Sequence, residues 1–234
     1  MSAGLEFEDR TVVVTGGTGA LGTAVVELLL ARGAQVRVPC FDVDEYERCA
    51  YRDHEQVQVV HPVNLADDAA VEAFFADADG LWASIHIAGG FAFTPLPEVD
   101  SKVIDQQVGM NTTTSLLCCR EAARRMQGGG RIVNVSARPA IDARQGAQLT
   151  PYVVAKAGVA ALTQALASEL LEQDILVNAI APSVIDTPSN RDAMADADFS
   201  TWVKPVDAAE VIAFLASPRN RVVSGALVPV YGKA

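Results

Sequence analysis

Tyr152 and Lys156 are two residues whose chemical types and spacing could support acid–base catalysis. Residues four positions apart lie on the same face of a helix, so the two side chains would be neighbours there. An ammonium beside a phenol stabilises the phenolate and lowers the tyrosine pKa from its usual value of about 10. A phenol tuned in this way can exchange a proton with a substrate near neutral pH. The alternative is a tyrosine packed on the core beside a solvated lysine, and only the rest of the chain can decide between the two.

A glycine-rich turn near the N-terminus provides that context. The segment Thr15–Gly22 reads TGGTGALG and lies between a predicted strand and a predicted helix. Glycines at this junction allow a tight turn and let a pyrophosphate approach the backbone, where free N–H groups of the helix face the anion. We therefore expect a dinucleotide at this turn. The residues that would contact it are Gly16, Thr18, Gly19, Ala20, Leu21 and Gly22.

Cys40 stands where a residue that binds the adenosine ribose is expected. In dinucleotide-binding folds an acidic residue at the end of the second strand binds the ribose hydroxyls, whereas a nearby arginine accommodates a 2′-phosphate. Cys40 occupies the acidic position, and no arginine follows it at position 41. Asp42 could reach back toward the ribose, although an Asp before a helix is also a typical N-cap. The sequence therefore predicts NAD or NADP without a preference between them.

Alternating strands and helices position these residues. The predicted strands are short and almost continuously apolar: Thr11–Thr15, Gln35–Val38, Val57–His61, Trp82–Ile87, Arg131–Val135, Ile175–Ile180 and Ala226–Val230. The main predicted helices are Ala20–Arg32, Asp67–Ala76, Ser101–Met126, Pro151–Glu172 and Asp207–Ala216. Such alternation is typical of a parallel sheet covered on both faces. We predict one Rossmann-type domain over residues 1–234, an α/β fold with a doubly wound parallel sheet of about seven strands.

One long stretch, Ser183–Lys204, shows no clear strand pattern. It is polar, and prolines lie within it and at its edges. Long connections of this kind in compact domains are often functional. We therefore expect a lid-like insertion around residues 183–204, over the carboxyl edge of the sheet.

The composition limits the partners of the chain. Its 234 residues include 18 basic and 29 acidic side chains, a net charge of −11, which is unsuited to binding nucleic acid. The N-terminus has no apolar signal region, and no apolar run approaches the ~18 residues of a membrane span. The four cysteines and three histidines show no spacing typical of metal ligands. We expect a cytoplasmic protein with a small-molecule substrate, no bound metal, and no nucleic-acid or membrane partner.

These motifs resemble the short-chain dehydrogenase/reductase family, and the resemblance covers nearly the whole chain. The glycine turn and the Tyr152–Lys156 pair match two of that family's motifs in the right order. Further similarity lies in Met110–Thr112, His86–Gly89, Pro182–Thr187 and Ser224–Leu227. The resemblance implies an oxidoreductase that uses NAD or NADP on a small carbonyl or alcohol substrate, usually as a homotetramer or homodimer.

The resemblance also implies a role for each matching residue. Tyr152 would donate or accept the proton at the substrate oxygen, and Lys156 would hold the nicotinamide ribose and lower the tyrosine pKa. Asn111 would hold a water of the proton relay. The remaining matches would contact the coenzyme: Asn64 and Leu65 at the adenine, Pro182, Val184 and Thr187 at the nicotinamide amide, and Ala88, Gly89 and Gly90 after strand four.

The substrate-orienting serine of the family has no clear counterpart. Counting from Asn134, the usual serine falls at Ala137, one residue beyond Ser136. Either Ser136 replaces it through a local shift, or Ser136 is a turn residue bonded to the backbone. The next residue, Arg138, could meet an acidic substrate or pair with Asp142.

Two alternative functions compete with this prediction. The segment Asp186–Arg191 and Trp202 are similar to dihydropteridine reductases, which would imply reduction of a quinonoid pterin. A non-catalytic nucleotide-sensing protein on the same fold is the second alternative. The presence of Tyr152, Lys156 and Asn111 argues against the sensor.

Overall fold

A single seven-stranded sheet organises the chain. The computed structural model describes residues 5–233. All neighbouring strands are parallel, and their order across the sheet is β3-β2-β1-β4-β5-β6-β7. The strands are β1 (Thr11–Thr15), β2 (Gln35–Pro39), β3 (Val57–Val60), β4 (Leu81–His86), β5 (Gly130–Val135), β6 (Ile175–Pro182) and β7 (Leu227–Val230). The predicted Rossmann-type α/β fold is confirmed, because the strand order reverses direction beside β1 as it does in doubly wound sheets.

Helices cover both faces of this sheet. They are α1 (Ala20–Ala31), α2 (Val43–Arg48), α3 (Asp68–Ala76), α4 (Ser101–Val108), α5 (Thr114–Arg125), α6 (Arg138–Ile141), α7 (Thr150–Glu169), α8 (Pro188–Ala193) and α9 (Pro205–Ala216). One apolar cluster packs α1 and α9 on one face, and a second packs α3, α5 and α7 on the other. Every residue of β5 and β6 is buried, which explains why these strands are mainly apolar, with Arg131, Asn134 and Asn178 as exceptions, and do not alternate between apolar and polar residues.

The predicted helix Ser101–Met126 is interrupted, and this is a correction to the sequence interpretation. It divides into α4 and α5 around a π-helical turn, Gly109–Thr113. A π-turn inserts an extra residue into the helical ladder, and such turns are frequent at functional sites. The turn contains Asn111, whose side chain is completely buried.

Helix α2 was not predicted, although its N-cap was considered. The Asp42 side chain accepts a hydrogen bond from Glu45 N at 2.9 Å, as an N-cap does. None of the α2 residues is buried, so the helix has no apolar stripe that a sequence pattern could show. Its position after β2 brings Glu45 to the carboxyl edge of the sheet.

The stretch from 183 to 204 follows β6 at the same edge. It contains α8, a 3₁₀ turn at Phe199–Thr201, and a bridge that pairs Ile185 with Val203. Within residues 5–233, no helix combines the length and the apolar character that crossing a membrane requires.

Candidate active site

The glycine turn between β1 and α1 is closely packed against neighbouring backbone atoms. Gly16 has φ +66°, a conformation that glycine adopts readily, and a Cβ there would lie 2.7 Å from Ala88 N. A Cβ on Gly22 would lie 2.0 Å from the carbonyl oxygen of Gly16. The turn therefore depends on residues without side chains, and it leaves its backbone open to a ligand.

A groove of about 750 Å³ runs from this turn along the carboxyl edge of β1, β2 and β4. Most of the predicted coenzyme contacts line it: Gly16, Thr18, Gly19, Ala20, Leu21, Gly22, Cys40, Asn64, Leu65, Ala88 and Gly89. The predicted contacts Gly90, Lys156, Pro182, Val184 and Thr187 do not line this groove. A groove at the point where the strand order reverses is where nucleotides bind in doubly wound folds.

Lys156 lies beside Gly89, one of the residues that line the groove. Its Nζ donates a hydrogen bond of 2.9 Å to the carbonyl oxygen of Val135. A Cβ on Gly89 would lie 3.3 Å from that Nζ, so a side chain at this position would crowd the ammonium. Burial lowers the pKa of Lys156 to about 8.

Tyr152 lies one helical turn before Lys156 on α7. The Lys156 Nζ is 6.0 Å from the Tyr152 ring centroid, and the Phe91 ring packs edge-on against the same ring at 5.1 Å between centroids. Burial raises the pKa of Tyr152 to about 12, so the lowering that we expected from Lys156 is not observed in this arrangement. The phenol is therefore neutral at physiological pH and able to donate a proton.

The Asn111 side chain fixes the segment that follows β4. Its Nδ2 donates to the carbonyl oxygens of Gly90 and Gln107, each at 3.0 Å, and its Oδ1 accepts from Gly90 N at 3.2 Å. A Cβ on Gly89 would lie 2.5 Å from that Oδ1. The structure therefore brings Asn111, Gly89, Gly90 and Lys156 together.

The Ser136 hydroxyl is bonded to the backbone of helix α7. Its side chain is almost fully buried, and its Oγ donates 2.9 Å to the carbonyl oxygen of Lys156. The hydroxyl thus joins the end of β5 to helix α7, as a serine bonded to the backbone does. Of the two alternatives for Ser136, this hydrogen bond favours the residue bonded to the backbone, and the orienting role remains a prediction.

The loop after β6 carries the other predicted contacts. Pro182 ends β6, and Val184 O accepts a hydrogen bond from Val203 N. Thr187 caps α8 by accepting a hydrogen bond from Asn190 N at 3.2 Å. These residues lie at the carboxyl edge of the sheet but outside the groove.

His86 has a structural environment. Its Nε2 is 2.8 Å from Ser84 Oγ, and its Nδ1 is 2.8 Å from Asn134 Oδ1. Complete burial lowers the pKa of His86 to about 4, so the ring is neutral at physiological pH.

The residues of the groove fit a dinucleotide coenzyme. The glycine turn offers a backbone cradle that a Cβ would fill, as at Gly16 and Gly22. The polar side chains of Asn64, Asp42 and Glu45 line the far part of the groove. Sequence reasoning did not identify Glu45, because the short helix that carries it shows no recognisable pattern.

Comparison with known proteins agrees with this geometry. A family model of short-chain dehydrogenases/reductases, described as enoyl-(acyl carrier protein) reductase, matches residues 17–232. The chain is 36% identical to a cis-4-hydroxycyclohexanecarboxylate dehydrogenase of Sinomonas cyclohexanicum, over 98% of each chain. It is 29% identical to a 2,3-dihydroxy-2,3-dihydro-p-cumate dehydrogenase of Pseudomonas putida, over 97% of this chain and 95% of that protein.

A solved structure is similar over nearly the same extent. It is a short-chain type dehydrogenase/reductase from Mycobacterium ulcerans, with a TM-score of 0.88 and 26% identity, over 98% of this chain and 90% of that chain. The family match, these relatives and the shared fold together identify the chain as a member of the short-chain dehydrogenase/reductase family and an NAD(P)-dependent oxidoreductase.

Proposed function

We propose that this enzyme interconverts a secondary alcohol and a ketone on a small alicyclic ring that carries a carboxylate. The two relatives described above support the substrate class, since both printed names describe hydroxylated ring carboxylates. The alternative of a quinonoid pterin gains no support from these relatives, and neither does a non-catalytic sensor.

The position of Arg138 is the observation that supports a carboxylate on the substrate. It follows Ala137 directly beyond the end of β5, and its guanidinium carbon lies 4.8 Å from the Tyr231 ring centroid. Asp142, the partner that the sequence offered, is bonded instead to Arg144 at 3.2 Å. Among residues 5–233, no carboxylate forms a salt bridge with Arg138. In a chain with 29 acidic residues, a half-buried arginine outside every ion pair can bind an acidic ligand.

The residues of this chain perform the proton chemistry. When bound, NAD(P) supplies or accepts a hydride at the C4 atom of its nicotinamide. In ketone reduction, the neutral phenol of Tyr152 donates its proton to the substrate oxygen and becomes a phenolate, and in alcohol oxidation the Tyr152 phenolate accepts the proton of the substrate hydroxyl. The Lys156 ammonium stabilises the resulting phenolate, and Asn111 positions the Gly89–Gly90 backbone beside the reacting groups. Pro182, Val184 and Thr187 would contact the nicotinamide end of the coenzyme, and the segment 183–204 would cover the substrate.

The experiment compares two substrates and two arginine variants. Cis-4-hydroxycyclohexanecarboxylate and cyclohexanol both present a ring hydroxyl, but only the first carries a carboxylate. Arg138→Gln is expected to raise the KM for the carboxylate about tenfold or more and to leave that for cyclohexanol unchanged. The matched control is Arg144→Gln, because Arg144 is exposed and already paired. Equal turnover of both substrates by the wild type, unaffected by Arg138→Gln, would contradict the carboxylate assignment.

We also propose that the enzyme is a cytoplasmic homotetramer or homodimer. The supporting observation is that α4, α5 and α7 each expose an apolar side chain: Ile104, Leu116 and Val154. Exposed apolar side chains on neighbouring helices favour association with a second copy. Light scattering is expected to give a multiple of the 24.7 kDa chain mass, and the mass of one chain would contradict the proposal.

A further inference from the structure

The residue at the usual ribose-binding position cannot perform that role well. Cys40 follows β2, is buried, and directs its Sγ to the carbonyl oxygen of Asp42 at 3.2 Å. A thiol is a weak donor and a weak acceptor, so it offers little to a ribose diol. If the groove recognises the ribose, another side chain has to supply the acceptor.

Glu45 lies close to Cys40 and is held in place from two directions. Its backbone N–H is bound by Asp42, the N-cap of α2, at 2.9 Å. Its Oε2 accepts a hydrogen bond of 2.6 Å from Thr18 Oγ1, in the glycine turn. Glu45 and Cys40 both line the groove, so the carboxylate lies near the expected ribose position. The charge of Glu45 adds to burial in raising the pKa of the Cys40 thiol.

The charges that line the groove also favour a ribose without a 2′-phosphate. Its lining carries the carboxylates of Asp42, Glu45 and Asp105. Within the part of the chain that the structure describes, no lysine or arginine lines it. A 2′-phosphate carries almost two negative charges and is normally accommodated by an arginine, so this groove would repel it.

We propose that Glu45 is the carboxylate that binds the adenosine ribose in place of Cys40, and that it makes this groove selective for NAD(H) over NADP(H). Asp42 is committed to capping α2, whereas the second oxygen of Glu45 has no hydrogen bond to the residues described. Thr18 fixes the orientation of the carboxylate, so a ribose hydroxyl meets a preorganised acceptor. This inference rests on the coenzyme binding of the family and not on the proposed substrate.

The test measures coenzyme binding directly, without turnover. Titration of the purified protein with NADH and with NADPH, followed by coenzyme fluorescence, gives the two dissociation constants. We expect NADH to bind at least about tenfold more tightly than NADPH. Glu45→Gln should weaken NADH binding about tenfold and tighten NADPH binding, because it removes both the charged acceptor and the repulsion. The matched control is Glu47→Gln on the same helix, whose side chain is exposed and does not line the groove.

Each remaining outcome has a distinct meaning. Equal affinity of the wild type for both coenzymes, or an unchanged ratio in Glu45→Gln, overturns the assignment of Glu45 and leaves the enzyme class intact. Failure of the wild type to bind either coenzyme overturns this inference and the proposed function together. Because Glu45 is exposed, circular dichroism is expected to show that the variant folds like the wild type.

Discussion

The Lys156 ammonium lies 6.0 Å from the Tyr152 ring centroid and donates its hydrogen bond to Val135 O. Among the residues that the structure describes, the Lys156 ammonium therefore makes no direct hydrogen bond to the Tyr152 hydroxyl. Its own position is fixed by β5, which it contacts through Val135. Ser136, the next residue of the same segment, binds the carbonyl oxygen of Lys156 from the other side.

The charge of Lys156 should give ketone reduction a pH dependence. Burial lowers the pKa of this ammonium to about 8, so its charge is present below that pH and is lost as the pH rises through it. We expect single-turnover rates at saturating coenzyme to fall above pH 8, because the phenolate loses its stabilising cation. Lys156→Met should lower the rate about 100-fold and remove this step from the profile.

A matched control separates this effect from a general loss of positive charge. Lys102→Met changes an exposed lysine on α4 and should keep both the rate and the step. A step near pH 8 that survives in Lys156→Met would assign the titration to another group.

Ser136→Ala tests whether this serine supports the site or contacts the substrate. Removal of the hydroxyl leaves the buried carbonyl oxygen of Lys156 without this donor, and we expect a loss of about 1–3 kcal/mol in the free energy of unfolding. The KM should change little, since the hydroxyl already donates its proton to the carbonyl oxygen of Lys156. Chemical denaturation measures the free energy of unfolding, and steady-state kinetics on the same preparation measure the KM. Unchanged stability with a large rise in KM would restore the orienting role that the sequence suggested.

His86 should make the protein sensitive to acid. Its pKa is about 4 in the folded protein, against 6.5 for an unperturbed histidine, so the unfolded chain binds the extra proton between these values. Stability should therefore be fully present above pH 6.5 and fall by about 3 kcal/mol as the pH drops to 4. The measurement is the free energy of unfolding as a function of pH.

The variant His86→Asn isolates this contribution. It should flatten the profile between pH 4 and 6.5, whatever its stability at neutral pH. The matched control is His54→Gln, which changes an exposed histidine and should leave the slope unchanged. An equally steep slope in His86→Asn would assign the acid sensitivity to other groups.

Two glycines of the same turn should respond differently to alanine. A Cβ on Gly22 would lie 2.0 Å from Gly16 O, whereas one on Gly19 would lie at an ordinary 3.5 Å from the same atom. Gly22→Ala should destabilise the fold by about 1–3 kcal/mol, because backbone has to move to admit the methyl group. Gly19→Ala should leave the melting temperature nearly unchanged. Differential scanning fluorimetry compares the two, and equal melting temperatures would contradict the close packing of this turn.

The order of strands and helices could be predicted from the sequence because the strands are buried on both faces. A strand such as Ile175–Pro182 is apolar apart from Asn178, and no tertiary information is needed to recognise it. The short helix α2 could not be predicted in this way, since none of its residues is buried. Glu45 was missed for the same reason.

The site was predictable where the chemistry depends on spacing and unpredictable where it depends on burial. The one-turn separation of Tyr152 and Lys156 follows from helical geometry. The raised pKa of Tyr152 follows from its burial in the folded chain, which the sequence does not show. The role of Ser136 depends on the direction of its hydroxyl at the end of β5, which is set by packing against α7.

The most direct test of the account is the turnover of Tyr152→Phe at saturating coenzyme, on cis-4-hydroxycyclohexanecarboxylate or the corresponding ketone. The variant keeps the ring that packs against Phe91, and coenzyme titration should show unchanged affinity because Tyr152 does not line the groove. Tyr46→Phe, on the exposed helix α2, is the matched control and should keep full activity. We predict that Tyr152→Phe loses about 100- to 10,000-fold in turnover. Full turnover in this variant would contradict the assignment of Tyr152 as the proton donor and acceptor.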